Sequence, residues 1–355
     1  MTASADTLED LIVRREGAAG RITVNRPKAL NSLTLDMVHS FTRALAGWKN
    51  DDTVGVIVID GAGTRGLCAG GDIRALLDSG SRNDGMAETF WRDEYKLNAA
   101  IGSYPKPVVA FMDGIVMGGG VGISAHASCR VVTEKTMLAM PEVGIGLLPD
   151  VGGTWLLSRA PGELGIYLAL TGSRIGGADA ILAGLADYFV QSERLPELAK
   201  ALGQATGGDV EAVVKSFAVD PGPAPLAEKA AAIDVMFGHD TVEQILETAR
   251  TSGDDWAVKT AAEVGAKSPT SLKVTLAALR GASTLDSLED CLTVEFRIIS
   301  RMFDAPDFRE GVRAAVIDKD QSPRWQPATL SEVSEAAVSA HFAPLGPREL
   351  GLIPA

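Results

Sequence analysis

Two apolar runs in this chain end the same way, and together they limit the folds it can adopt. VGVIVIDG, residues 54–61, and KPVVAFMDG, residues 106–114, are rich in β-formers and closed by glycine. Runs of this kind read as strands buried on both faces. Each leads into a glycine-rich stretch that opens a helix: CAGGDI at 68–73 after the first, MGGGVGIS at 117–124 after the second. Upstream, LIVRREGAAGRITVN reads as two strands around a glycine-containing turn. TLDMVHSFTRALAGWKN reads as a helix with Met37, Val38, Phe41, Leu45 and Trp48 at helical spacing and Thr34 as its N-cap. ETFWRDEYKLNAAIGSY is a further amphipathic helix, and RVVTE another strand. Strands therefore arrive in close pairs with short helices between them. That rhythm differs from the even alternation of a doubly wound sheet.

After about residue 190 the strand signals stop. PGPAP at 221–225 reads as a hinge or linker, and a series of helical segments follows, ending in LEDCLTVEFRIISRMF. The expected organisation is an α/β body over 1–190, a helical C-terminal region over 191–345 and a tail over 346–355. The five prolines from Ser322 onward predict an extended ending.

Bulk properties narrow the function. A formal charge of −13 argues against nucleic acid, which needs a surplus of Lys and Arg on one face. The apolar runs are too short and too interrupted to span a membrane. MTASADTLED is acidic and lacks an apolar segment, which argues against a secretory signal or a transit peptide. The three cysteines, Cys68, Cys129 and Cys291, are odd in number and widely spaced, which suits a reducing compartment; the expectation is cytoplasmic. No histidine stands at metal-ligand spacing to a cysteine, so no metal site is expected.

Candidate chemistry is concentrated in few places. Each glycine-rich junction brings backbone N–H groups to a helix N-terminus, where negative charge is favoured. Two converging junctions could hold an oxyanion; tight turns and close backbone packing explain the same glycines. Gly120, Gly122 and Ala125, with Glu142 about twenty residues on, also fit a dinucleotide fingerprint, but the paired strands around them do not suit a dinucleotide half-domain. Nucleophile motifs are missing: Cys68 sits among Ala and Leu, as small buried cysteines do, and His126 reads as a packed or capping residue. Carboxylates remain. Glu142 and Asp150 stand eight positions apart in MPEVGIGLLPDVGG, residues 140–153, where Gly, Pro and aliphatic residues are otherwise the rule. They either cap local turns or act on something that binds there.

RPKALNSL at 26–33, CAGGDI at 68–73, KPVVAFMDGIVMGGGVGIS at 106–124 and MPEVGIGLLPDVGG at 140–153, in that order, resemble the crotonase (enoyl-CoA hydratase/isomerase) superfamily. The resemblance implies a spiral of repeated ββα units with a helical C-terminal region. It implies an acyl-CoA substrate, no cofactor beyond the CoA that the substrate carries, and a homo-oligomer as an open expectation. It also implies that the amides of Gly71 and Gly119 hold the thioester oxygen. Arg26, Lys28, Ala29, Leu30, Ala69, Gly70, Asp72 and Ile73 would contact the CoA moiety. Hydratases of the family use two glutamates; the position of the first is Gly122 here, whereas the second matches Glu142, and Asp150 stands where hydratases have glycine. This pattern resembles the branch that hydrolyses 3-hydroxyisobutyryl-CoA in valine breakdown. WRDEYKLN at 91–98 and EGVRAAVIDKDQSPRW at 310–325 resemble the same branch. By that resemblance Glu142 and Asp150 are the catalytic pair, and Glu94 and Gly119 contact substrate. Glu142 would activate water or attack the thioester carbon, with Asp150 binding the 3-hydroxyl. An enoyl-CoA hydratase or isomerase, and a non-catalytic CoA-binding scaffold, are the competing readings.

Overall fold

The computed structural model describes residues 10–205 and 207–352. The N-terminal stretch from which the absence of a signal is read lies almost wholly outside the described residues, as do the last three residues of the tail. β1 (Leu11–Glu16) and β2 (Ala19–Val24) form an antiparallel hairpin. Helix α1 (Leu35–Trp48) follows, and the Thr34 side chain caps it by accepting from the Met37 N–H. The chain then delivers strands two at a time: β3 (Val56–Gly61) with β4 (Gly66–Cys68), β5 (Val108–Met112) with β6 (Ile115–Met117), and β7 (Cys129–Val132) with β8 (Met137–Ala139). The first of each pair joins a six-stranded sheet in the order β1-β2-β3-β5-β7-β9, where β9 is Tyr188–Phe189; the second joins a three-stranded sheet, β4-β6-β8. All pairings beyond the hairpin are parallel. Helices α2 (Ile73–Arg82) and α3 (Met86–Gly102) follow β4, α4 (Gly119–Gly122) follows β6, and α5 (Gly153–Leu157) comes after β8. The result is the spiral of ββα units that the crotonase resemblance implies, and its paired strands match the rhythm read from the sequence.

Alternate residues of the large sheet serve two cores. Ile57, Ile59, Ala110 and Met112 face one; Val56, Val58, Val109 and Phe111 face the other. The second core is closed by Leu198 and Leu202 of helix Leu195–Leu202 and by Val210 and Val214 of helix Val210–Phe217. Burial on both faces is why these strands lack polar alternation. Helices Pro269–Ala282 and Leu288–Asp304 pack beside α5, and the latter also against α3, so the C-terminal helices wall the region where the glycine-rich junctions end.

The tail departs from the extended chain that its prolines predict. Residues Glu335–Phe342 form a helix, and the segment beyond it is docked. Leu350 is buried, Glu349 accepts from Arg297 Nε at 3.0 Å, and Arg92 donates to the carbonyls of Arg348 and Glu349. Proline removes a donor but does not prevent a short helix from starting beside it. Burial and ion pairing then order the segment.

Candidate active site

The two glycine-rich junctions end at one cavity of about 480 Å³. Ala69, Gly70, Gly71 and Ile73 line it from the first junction, and Met117, Gly118 and Gly119 from the second. A cavity of this size encloses a small ligand or one end of a larger one. The junctions approach each other closely. A Cβ placed on Gly119 would sit 3.5 Å from the Gly71 nitrogen and 3.1 Å from Leu33 Cδ1, and would collide with Glu94 Oε1. A side chain there would have to push the Glu94 carboxyl aside. The Gly71 amide is left out of the local bridge: Leu33 N–H donates to the Gly70 carbonyl, and Asp72 N–H to the Leu33 carbonyl. Gly119 is the first residue of α4, so its amide has no partner within the helix.

Glu94, Glu142 and Asp150 line the same cavity. Glu94 projects from α3; Glu142 opens the 3₁₀ turn Glu142–Ile145; Asp150 lies in the turn before α5. Glu142 Oε1 is 3.1 Å from where a Gly118 Cβ would be. Glu94 Oε1 and Glu142 Oε2 are buried without a hydrogen-bond partner among the described residues. Unpaired buried oxygens of this kind are costly and suit a site that a ligand completes. Asp150 Oδ2 instead accepts from the Tyr95 hydroxyl at 2.6 Å.

Burial dominates the electrostatics. It raises the Glu142 and Glu94 carboxyls well above their ordinary value, and the Asp150 charge adds to both. Asp150 is raised to about 6 by burial, with the Tyr95 bond acting in the opposite direction. A fourth buried acid, Glu295 on helix Leu288–Asp304, is raised to about 8. The cluster therefore ionises in steps, and Asp150 ahead of Glu295. Arg174 and Lys267 also line the cavity and take part in no ion pair among the described residues. No cluster of three or more His, Cys, Asp or Glu suited to a metal ion is found among the described residues.

The other sequence candidates are distributed unevenly. Of the expected CoA contacts, Ala69, Gly70 and Ile73 line the cavity, whereas Arg26, Lys28, Ala29, Leu30 and Asp72 do not. Arg26 is bonded to Asp72 Oδ2 at 3.0 Å and to the Ser32 carbonyl at 2.7 Å, so it fastens the RPKALN loop to α2; Asp72 is also the N-cap of α2. Lys28 and Ala29 are exposed on that loop. The dinucleotide alternative finds no opening at Gly120 or Gly122. Cβ atoms there would meet the Cys68 carbonyl carbon at 3.0 Å and Val151 Cβ at 2.8 Å. The Cys68 thiol is buried and pushed up to about 12, a poor nucleophile. His126 is half-buried, held down to about 4 by desolvation, and its Nε2 donates to the Val151 carbonyl at 2.8 Å, a packed role.

Sequence reading missed Tyr95, Asn98, Glu295 and the two rim cations. Glu295 did carry a signal: it falls on the apolar face of its helix, one turn from Leu292 and Ile299. Tyr95 and Asn98 look like ordinary members of an amphipathic helix. The block at 310–325 reaches the cavity through Ala315 and Gln321.

The chain is similar along nearly its whole length to several known proteins. The chain is 45% identical to 3-hydroxyisobutyryl-CoA hydrolase, mitochondrial, from Xenopus laevis, over 96% of this chain and 90% of that one. A carnitinyl-CoA dehydratase from Mycobacterium thermoresistibile superposes with a TM-score of 0.92 at 48% identity, covering 96% of this chain and 98% of that one. An enoyl-CoA hydratase from Rhodobacter sphaeroides superposes at 0.89 and 41% identity, covering 97% and 100%. The Xenopus protein and its vertebrate counterparts are mitochondrial by name, which overturns the expected cytoplasmic location. Reduced cysteines signal a reducing environment, and the cytosol is not the only one. No helix among the described residues is long and apolar enough to cross a membrane. The family model for enoyl-CoA hydratase/isomerase matches residues 19–342, and the chain belongs to that family.

Proposed function

We propose that the protein hydrolyses 3-hydroxyisobutyryl-CoA to 3-hydroxyisobutyrate and CoA. The observation that carries this reading is the meeting, in one cavity, of the Gly71 and Gly119 junctions with the buried Glu142 and Asp150 carboxyls. The thioester oxygen would bind the Gly71 and Gly119 amides, where charge develops as the carbon becomes tetrahedral; such a donor contributes about 3 kcal/mol to the transition state. The Asp150 carboxylate, bonded to Tyr95, would take the substrate hydroxyl. Burial raises the Glu142 carboxyl well above its ordinary value, so its carboxylate is a stronger base than an exposed one. It would draw a proton from water as that water attacks the thioester carbon. Alternatively its own oxygen attacks: the C–S bond breaks, CoA leaves as thiolate, and water then opens the mixed anhydride. Glu94 and the rim cations would contact substrate.

A second reading, hydration of an enoyl-CoA, is favoured by the names of the two solved relatives. Gly122 opposes it. That position bears no carboxyl, and the space beside it is filled by Asn98 Nδ2 and Val151 Cβ, each 2.8 Å from where a Cβ would be.

The test is thiol release from 3-hydroxyisobutyryl-CoA beside hydration of crotonyl-CoA, on wild type and Glu142→Gln. Thiol release by wild type, reduced about 10³-fold or more in the variant, is expected. Hydration without thiol release overturns the reading. Single-turnover reaction in heavy-oxygen water separates the two routes, since only the anhydride transfers label into Glu142.

A further inference from the structure

Asp150 enters the cavity from a turn that its own sequence disfavours. The next residue, Val151, has φ +55°, a left-handed conformation that a β-branched side chain rarely adopts. Gly152 follows at φ +81°, and α5 begins at Gly153. Two residues from distant parts of the chain, the half-buried His126 and the fully buried Glu295, grip this turn. His126 Nε2 donates to the Val151 carbonyl at 2.8 Å. Glu295 Oε2 accepts from the Gly152 N–H at 2.7 Å, and its Oε1 accepts from the Thr154 N–H at 2.9 Å and the Thr154 hydroxyl at 2.5 Å.

Glu295 is fully buried and does not line the cavity, so it has no part in the chemistry proposed above. A carboxyl group in that position is expensive to desolvate, and an apolar residue of similar volume would pack helix Leu288–Asp304 at less cost. What the carboxyl supplies, and an apolar residue could not, is three simultaneous acceptor contacts to the residues directly after Asp150. We infer that Glu295, assisted by His126, is a positioning residue that clamps the left-handed Val151–Gly152 turn and so keeps the Asp150 carboxyl in the cavity against the Tyr95 hydroxyl. Simple capping of α5 would use the same contacts, and the two roles separate by experiment. A cap supports the helix; a clamp also fixes the surroundings of Asp150.

The inference rests on the hydrolase reading only for its kinetic arm. The variants are Glu295→Gln, which keeps the volume, and Thr154→Val, which removes only the hydroxyl donor and decides the matter should the first fail to fold. Hydrogen exchange over residues 150–157 is expected to accelerate about tenfold in Glu295→Gln, and less in Thr154→Val. In thiol release, kcat/KM should fall about 10- to 100-fold, with KM raised as well as kcat lowered, since Asp150 is the group proposed to hold the substrate hydroxyl. The acidic limb of kcat/KM should move down by at least about half a pH unit, as Asp150 escapes burial. Unchanged exchange at the turn overturns the inference. So does a lowered Tm with kcat and the acidic limb unmoved, which is the signature of a cap alone. If wild type releases no thiol, the hydrolase reading fails while the exchange arm still decides the clamp.

Discussion

Asp150→Asn should inactivate the protein and make it more stable. Burial raises the Asp150 carboxyl from 3.8 to about 6. Its folded value therefore lies above its unfolded one, and folding opposes its ionisation. The penalty is absent below pH 3.8, grows as pH rises through the window, and is complete above about 6. The shift of about two units, at 1.36 kcal/mol each, costs about 3 kcal/mol at pH 8. Asparagine removes the charge, and its Oδ1 can still accept from the Tyr95 hydroxyl. With an unfolding entropy of about 2.1 cal/mol/K per residue, the 355 residues give about 0.75 kcal/mol/K. A gain of about 3 kcal/mol then raises Tm by about 4 °C. At pH 4.5 most of the penalty has gone, and the gain should shrink to about 1 kcal/mol, or about 1 °C. The assay is paired thermal melts of wild type and variant at both pH values, with thiol release measured alongside. The pH dependence of the difference isolates the charge from any packing change. A difference in Tm that is the same at both pH values, or that grows at pH 4.5, would refute the reasoning.

Further expectations concern the surroundings of the pair. Tyr95→Phe removes the side-chain hydrogen bond that favours the ionised Asp150, so the acidic limb of the pH–rate profile should move upward by about one unit. Gly119→Ala places a methyl group against Glu94 Oε1 and Leu33 Cδ1, beside the amide proposed to hold the thioester oxygen; kcat should drop about 100-fold or more, read by thiol release.

The acid cluster shows why site and stability pull in opposite directions in this fold. Glu94, Glu142, Asp150 and Glu295 are all at most 7% exposed, and each is raised above its ordinary pKa by burial. A core built for stability alone would hold aliphatic residues there. Carboxyl groups kept from water have raised basicity, which would serve the attack on a thioester proposed for Glu142 but does not serve folding.

How much of this was legible beforehand differs by element. The strands β3 and β5 announced themselves as unbroken apolar runs closed by glycine, and the helix α1 by apolar residues recurring at helical spacing. The second sheet did not. β4, β6 and β8 are three residues each, too short to show a period, and β4 lies inside what reads as a glycine-rich loop. The docked tail was hidden as well, since its order comes from Leu350 and the Arg297–Glu349 pair rather than from local preference.

By itself the sequence determined the paired-strand rhythm, the two glycine junctions and the pairing of Glu142 with Asp150 in an apolar stretch, because periodicity and residue type are local properties of the chain; Glu94 was singled out only by the family resemblance. Tertiary structure alone decided which groups surround them. Tyr95 meets Asp150 across 55 positions, and Glu295 meets Gly152 across 143. Contacts at such separations follow from how helices pack against the finished sheets, and no local pattern encodes them. The same holds for electrostatics: the rise of Asp150 to about 6 comes from burial, and burial exists only once the chain has closed around it.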